Sequence, residues 1–219
     1  MPLEKCPRSP VICEQRVLIP NEHGEKLVGL LHQTSSKKLV ILCHGFRATK
    51  DDSILVDLAD AITKEGISAF RFDFSGNGES DGEFQYGSYR KEAADLRSVV
   101  LHFSEQKYDI IALIGHSKGE LEYRVRKASL EDRLSTDTLF SSRAISKVCR
   151  VLTIHGTKDE IVPAEDALQF AANIPNHELR IIAKANHRYT GHEEELASLV
   201  LDFLRSHLHQ GTSRLRPKL

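Results

Sequence analysis

No apolar run in the 219 residues approaches the ~20 needed to span a bilayer. The first ten residues, Met1 to Pro10, hold no apolar stretch of the kind that opens a secretory signal. Charge of one sign is also lacking. Lys and Arg number 30 and Asp and Glu 31, for a net charge of −1. Without a basic field the chain has no general hold on nucleic acid or an anionic membrane. Cysteine is sparse: Cys6, Cys13, Cys43 and Cys149 form no CxxC pair and no dense framework. Cys43 and Cys149 sit in or beside apolar runs, where a thiol reads as a small core residue. A reducing compartment, the cytoplasm, is expected. Internal repeats and low-complexity blocks are absent as well. No His/Cys/Asp set has metal-ligand spacing on one element, so no metal is expected.

What remains is ordinary globular material, enough for one well-filled core. Residues 15–19 and 26–31 flank the turn-rich Pro20-Asn-Glu-His-Gly24 and predict a hairpin. Residues 39–43 form a continuous apolar run, the mark of a strand covered on both faces. Further strands are expected at 67–74, 110–114, 150–154 and 179–182. Helices are expected between them. Asp52 caps one with Leu55, Leu58, Ala61 and Ile62 on its apolar face, ending at Gly66. Ser88 caps another that uses Ala93, Leu96, Val100 and Phe103. Ala164–Asn173 is a third. A last helix, 193–208, buries Leu196, Leu199, Val200 and Phe203. A hairpin followed by alternating strands and helices implies an α/β fold with a mostly parallel sheet and helices on both faces. Residues 1–14 are expected to be a flexible start, 15–209 the domain, and 210–219 a basic, frayed tail.

The chemistry falls after the carboxyl ends of predicted strands, where such sheets bind ligands. Gly115-His116-Ser117-Lys118-Gly119 directly follows the strand 110–114. This G-x-S-x-G turn lifts a serine hydroxyl above the sheet, with small residues at its flanks and a helix N-terminus behind it. Ser117 is therefore the candidate nucleophile. His44-Gly45-Phe46 closes the strand 39–43. In this arrangement the backbone N–H groups of Phe46 and Lys118 are the candidate oxyanion donors, and the His44 ring is structural. Asp159 follows the strand 150–154 and is the candidate acid, with Glu160 as rival. His187 follows the last strand and is the candidate base; His192 belongs to the start of the final helix. The order Ser, Asp, His is the one expected of an α/β-hydrolase. The glycine-rich Asp73-Phe-Ser-Gly76-Asn-Gly78-Glu-Ser-Asp-Gly82 mimics a dinucleotide fingerprint, but the third glycine is missing: Asp81 stands in its place. It reads as a tight structural loop.

These motifs together resemble the single-domain α/β hydrolases of the serine aminopeptidase-like and cinnamoyl-esterase-like group, particularly their plant members. The matching stretches are Leu42-Cys-His-Gly-Phe46, Phe72 to Ser80, Ile114 to Gly119, Val151 to Asp159 and Ala185-Asn-His187. The resemblance runs from Arg16 to His209. It implies cofactor-free hydrolysis of a carboxylic ester or related acyl bond on a small-molecule substrate. The departure comes after Gly119. Only 42 residues separate Ser117 from Asp159, and the family's elbow helix, one strand and lid are expected to be missing. Two consequences are predicted. The strand 150–154 pairs directly with 110–114, through a crossover over 120–147 that uses Leu121, Val125, Leu130 and Leu134. The acid and base are thereby displaced by ~4.8 Å, one strand spacing, and the Ser117 hydroxyl loses good geometry to His187. An enzyme is the first reading; a catalytically impaired hydrolase fold that binds a small ligand or protein is the alternative.

Overall fold

The computed structural model describes residues 13–117 and 138–213. Side chains are described for all of these except residues 138–139 and 207–213. The segment directly after Ser117, where the family's elbow helix was expected to be missing, the apolar stripe of Leu121, Val125, Leu130 and Leu134, and the end of the basic tail lie outside the described residues. The chain divides into two compact units. One comprises the residues up to Glu83 together with Ala93–His116; the other comprises Phe84–Glu92 together with Ser117 onward.

The first unit holds a five-stranded sheet. Its strands are β1 (Cys13–Pro20), β2 (Lys26–Gln33), β3 (Lys38–Cys43), β4 (Ser68–Phe72) and β5 (Asp109–Gly115), in the spatial order β1-β2-β4-β3-β5. The β1–β2 hairpin is antiparallel, and its register pairs Pro20 with Lys26. β1 begins at Cys13 rather than residue 15, because Cys13 and Glu14 find ladder partners in Gln33 and His32. β2 runs antiparallel to β4, and β3 lies parallel to both β4 and β5. This is the mostly parallel sheet that the alternation predicted.

Helix α1 (Ser53–Lys64) is capped as expected: the Asp52 carboxylate accepts the Ile54 N–H at 3.1 Å. Its buried stripe is Ile54, Leu55, Leu58, Ala59 and Ile62; Ala59 replaces the expected Ala61, since it falls on the i+4 row of Leu55. Gly66 closes the turn after it with φ +75°. Helix α2 (Tyr89–Glu105) follows Ser88, whose carbonyl accepts the Glu92 N–H. It buries Asp95, Val99 and Phe103, while Leu96 and Val100 are partly covered and Ala93 is exposed.

Leu39 through Leu42 are fully buried. Alternation sends Leu39 and Ile41 into a cluster with Phe70, Phe72, Val99 and Phe103. Val40 and Leu42 face the opposite side of the sheet, and α1 packs on β3 and β4. The Phe70 and Phe103 rings meet edge to face with centroids 4.6 Å apart. Gly29 on β2 leaves room for this: a Cβ there would lie 2.2 Å from the Phe70 ring. Each such buried side chain contributes about 1.5–3 kcal/mol. Of the cysteines, Cys43 is partly buried and Cys149 is exposed, not a core residue. Cys149 closes a turn just ahead of a strand, its N–H donating to Ser146 O.

The glycine-rich loop 73–82 is structural, as expected, and the reason is a buried cation. The Lys50 side chain is 4% exposed and lies 3.0 Å from Asp73, 2.7 Å from Glu79 and 3.2 Å from Asp51. Asp73 is fully buried and also accepts the backbone N–H groups of Lys50 and Glu79. A Cβ at Gly78 would stand 2.3 Å from the Asp73 carboxylate. Gly78 (φ +52°) is therefore fixed both by conformation and by space. Burial alone would push the Lys50 ammonium down; the hydrogen bonds it donates to Glu79 and Asp73 outweigh that and hold its pKa well above the ordinary lysine value. Beside the cage, buried Asp95 accepts from Asn21 (2.8 Å), Ser75 N–H (2.9 Å) and the Ser75 hydroxyl (2.7 Å). It ties α2 to the hairpin and to the loop.

The second unit contains α3 (Thr138–Arg143), β6 (Val151–Gly156), α4 (Ala164–Asn173), β7 (His177–Ile182) and α5 (Glu193–Ser213). β6 and β7 pair in parallel, Val151 opposite His177 through Gly156 opposite Ile182. They form a two-stranded sheet of their own. The predicted ladder between 150–154 and 110–114 is not formed; β5 pairs with β3 and β6 with β7. Helix α5 buries Leu196, Val200 and Leu204. Leu204 takes the place expected of Phe203, and Leu199 is half-buried, because the i, i+4, i+8 row selects 196, 200 and 204. The helix runs to Ser213, past its expected end at Leu208, since extending an existing helix needs no new nucleus. Among the described residues no helix is long and apolar enough to cross a membrane.

Replacing Lys50 by Met should destabilise the protein by about 3–5 kcal/mol, because it leaves Asp73 as an uncompensated buried charge. Urea unfolding of the two proteins measures the difference. A variant of unchanged stability would show the cage to be energetically idle.

Candidate active site

Each described site residue follows the carboxyl end of a strand. His44 and Phe46 follow β3. The His44 ring is buried and structural, as expected: its Nε2 accepts the Phe74 N–H at 3.1 Å, so Nδ1 carries the proton and donates to Gly45 O at 2.8 Å. Phe46 is partly buried on the same loop. Lys118 and Gly119 lie outside the described residues, so the second oxyanion donor and the far glycine of the elbow have no described position. At the near glycine, Gly115, an added Cβ would meet nothing within 4 Å. The steric need for a small residue is not visible there among the described residues.

Ser117 stands two residues beyond β5 with φ 41°. A non-glycine residue in the left-handed region is strained by about 1–3 kcal/mol and marks a backbone held for a purpose. The ladder continues one bond past the strand: His116 N–H donates to Cys43 O at 3.2 Å. The turn at Ser117 thus begins where β5 is still pinned to β3.

Asp159 and His187 come from the loops after β6 and β7, which are stitched together. Thr157 N–H donates to Ile182 O at 3.1 Å, and Lys158 N–H to Ala185 O at 2.9 Å. Lys184 N–H donates to the Thr157 hydroxyl at 2.8 Å. The close approach depends on Gly156, where a Cβ would lie 2.3 Å from the Ala185 oxygen. Beyond this seam, Asn186 Oδ1 accepts the Thr190 N–H, and the buried Tyr189 hydroxyl donates to Ile154 O at 2.7 Å. Burial, then the charge of Asp159, pushes the Tyr189 phenol up to about 12. It therefore serves as a neutral strut.

The three candidate side chains meet. Ser117 Oγ lies 2.6 Å from His187 Nε2. His187 Nδ1 lies 3.0 and 2.9 Å from the two Asp159 oxygens. The predicted loss of hydroxyl-to-imidazole geometry is therefore wrong: the Ser117 hydroxyl stands within hydrogen-bond distance of His187 Nε2. Asp159 and His187 side chains are 7% and 13% exposed. Since Asp159 can only accept, Nδ1 carries the proton and Nε2 accepts from the hydroxyl. Asp159 Oδ1 also takes the N–H groups of Ile161 (2.9 Å) and Val162 (2.8 Å). Burial alone would raise the Asp159 pKa. The Val162 N–H, His187 and the Ile161 N–H reverse that and hold the carboxyl below its ordinary value.

Two residues gain parts that sequence reading did not give them. Glu160, weighed there as a rival acid, instead accepts the His187 backbone N–H at 3.2 Å. His155, not singled out at all, stands buried 3.8 Å from Asp159 Oδ2 with its Nε2 on Val162 O at 3.2 Å. Its only sequence signal is its place four residues before the acid. His192 sits just ahead of α5, its carbonyl accepting the Leu196 N–H.

Known proteins with the same architecture put these facts in a frame. A family model for serine aminopeptidases matches residues 34–121. It ends where the chain was expected to leave the family pattern. Among solved structures, Est1E from Butyrivibrio proteoclasticus with ferulic acid bound superposes with a TM-score of 0.78 at 20% identity, covering 88% of this chain and 99% of that one. An esterase from Pyrococcus furiosus gives 0.72 at 20% identity, covering 89% and 91%. An alpha/beta hydrolase, GrgF, from Penicillium sp. gives 0.76 at 19% identity, covering 90% and 99%. The chain has the α/β-hydrolase fold. Comparison with curated protein sequences gives no match.

Two outcomes follow for this α/β-hydrolase-fold chain. Gly156→Ala should open the seam between the two loops, lower the melting temperature and reduce any activity. Unchanged melting would show that the close approach at Ala185 is not required. The depressed Asp159 pKa stabilises the fold above the ordinary carboxylate value and ceases to do so as pH falls through the native value. The stability difference between the parent and Asp159→Asn should therefore shrink below about pH 4. Denaturant titrations of both proteins across acid pH measure it.

Proposed function

We propose that this protein is a serine hydrolase that cleaves carboxylic esters of small molecules. The observation that carries the reading is the continuous chain from Ser117 Oγ through His187 to Asp159, at 2.6 Å and 2.9 Å. The match to the serine aminopeptidase model and the esterases among the similar folds support it.

The chemistry follows from the donors and acceptors. His187 Nε2 takes the proton from Ser117 as the oxygen attacks the ester carbonyl. Asp159 stays ionised, holds the Nδ1–H tautomer and stabilises the imidazolium. Its lowered pKa suits that part, because it favours the ionised carboxylate. The oxyanion falls to the backbone N–H groups that the sequence motif nominates, Phe46 and Lys118. The imidazolium returns its proton to the departing alcohol, leaving an acyl group on Ser117. Water then attacks with His187 as base, and acid is released. No cofactor enters this cycle. The reading as an impaired, ligand-binding fold rests on the shortened segment after Ser117; the 2.6 Å contact supports the enzyme reading against it.

A fluorophosphonate probe should label the parent chain and fail on Ser117→Ala. Ser117→Ala should also abolish release of nitrophenol from a short nitrophenyl ester. Asp159→Asn should lower it by about 10⁴-fold with the fold intact, because the wrong tautomer then faces Ser117. Wild-type turnover in both variants would refute the assignment. A parent chain that neither labels nor turns over would favour the ligand-binding alternative.

A further inference from the structure

We propose that His155 is a positioning residue for Asp159, acting through the Val162 carbonyl. The inference rests on the hydrolase reading for its catalytic consequence but not for its geometry. His155 occupies the second-to-last position of β6, opposite Ile181 of β7, and is 7% exposed. A buried imidazole needs partners. Val162 O can only accept, so the 3.2 Å contact fixes the proton on Nε2.

What that bond holds is informative. Val162 uses both faces of its backbone here. Its N–H donates to Asp159 Oδ1, and its C=O receives His155. The next residue, Pro163, has no N–H to offer and opens helix α4 with no side-chain cap. The segment 157–162 leaves β6 and must return to the start of α4. Asp159 grips the segment from inside, through Ile161 and Val162 N–H. His155 grips it from the strand. The Asp159 carboxylate is then caught between two imidazoles: His187 Nδ1 at 2.9 Å and His155 Nε2 at 3.8 Å, both on Oδ2. The first shares a proton with it. The second has its N–H committed to Val162 O and stands too far from Oδ2 for a full hydrogen bond, so its hold on the carboxylate runs through Val162. Without the His155 donor, Val162 loses its tether to the strand and the Oδ1 acceptor pattern loosens with it. An error of ~1 Å in a catalytic group can cost about 10²-fold.

The test compares the full chain with His155→Leu, His155→Gln and His155→Asn. The glutamine amide reaches where Nε2 stood; the asparagine amide stops short and leucine has no donor. The expected result is a kcat for nitrophenyl ester reduced about 10- to 100-fold in His155→Leu and His155→Asn. KM should stay within about twofold, and His155→Gln should keep most of the parent kcat. The low-field proton resonance of His187 Nδ1–H should shift or vanish in the leucine and asparagine variants and persist in the glutamine variant. His155→Leu can fail to fold through lost packing, and then His155→Asn decides. Full kcat and an unmoved resonance in a folded His155→Asn would overturn the inference. So would equal losses in His155→Gln and His155→Asn, which would mean ring packing rather than donation. A parent unreactive toward fluorophosphonate would overturn the hydrolase reading alone, because the His187 resonance still tests the positioning.

Discussion

The site hangs on the seam between two loops. Where β6 and β7 end, hydrogen bonding does not stop at the strands. Thr157 and Lys158 carry it on to Ile182 and Ala185, and the missing Cβ of Gly156 lets the Ala185 oxygen come close. Because both loops leave parallel strands at the same level, the seam fixes the relative height of Asp159 and His187 within about the tolerance of a hydrogen bond. Everything chemical in this unit is referenced to it. Asp159 gains its two backbone donors only because the loop turns tightly enough to bring Ile161 and Val162 back. His187 gains its orientation because Ala185 is tied down two residues before it. The acid is thus a consequence of loop closure as much as of sequence.

A large part of this was legible in the residues. The candidate residues follow the strand ends at 43, 115, 156 and 182, because parallel strands put their loops there, and alternating apolar runs and capping residues reveal parallel strands. Asp52 as N-cap and Gly66 as terminator could be read directly, since each has a side chain, or the absence of one, that does a local job. Core membership was less secure. Ala61 and Phe203 are apolar and near the right face, but one helical position decides burial, and Ala59 and Leu204 hold those positions. Periodicity over short windows does not resolve 100° from 200°. His155 and Glu160 were not legible in their parts. Their roles depend on where a neighbouring loop's N–H or C=O arrives, and side-chain type alone does not encode that.

The mistaken expectation about strand pairing has a physical lesson. It reasoned that a vacant slot beside β5 would be filled, because an open edge wastes hydrogen bonds. That argument weighs a sheet edge against nothing. Register is set by side chains as well as by backbone, and β6 and β7 are already committed to each other. Their ladder is extended by the seam, which holds Gly156 against Ala185. A strand has two edges, so this commitment leaves the other edge of β6 undecided, and edge satisfaction alone does not dictate strand order.

The glycine-rich loop makes the complementary case for reading polar residues by charge balance. Its glycines look like a phosphate cradle when taken as a string. Taken with Asp73 and Lys50, they are the space a buried carboxylate needs. A lysine that is 4% exposed must have its charge answered. Asp73 answers it inside and Glu79 at the rim, and Gly78 keeps a side chain out of the way. A nucleotide phosphate would bring more negative charge to a cluster that already sets Asp73, Asp51 and Glu79 around one ammonium. The same electrostatic logic separates the two carboxylates that matter most in this chain. Asp73 is held by a permanent cation and can only be structural. Asp159 is held by neutral N–H groups and an imidazole, which leaves its charge available to a positive charge that comes and goes. That difference makes one aspartate part of the scaffold and the other fit for catalysis.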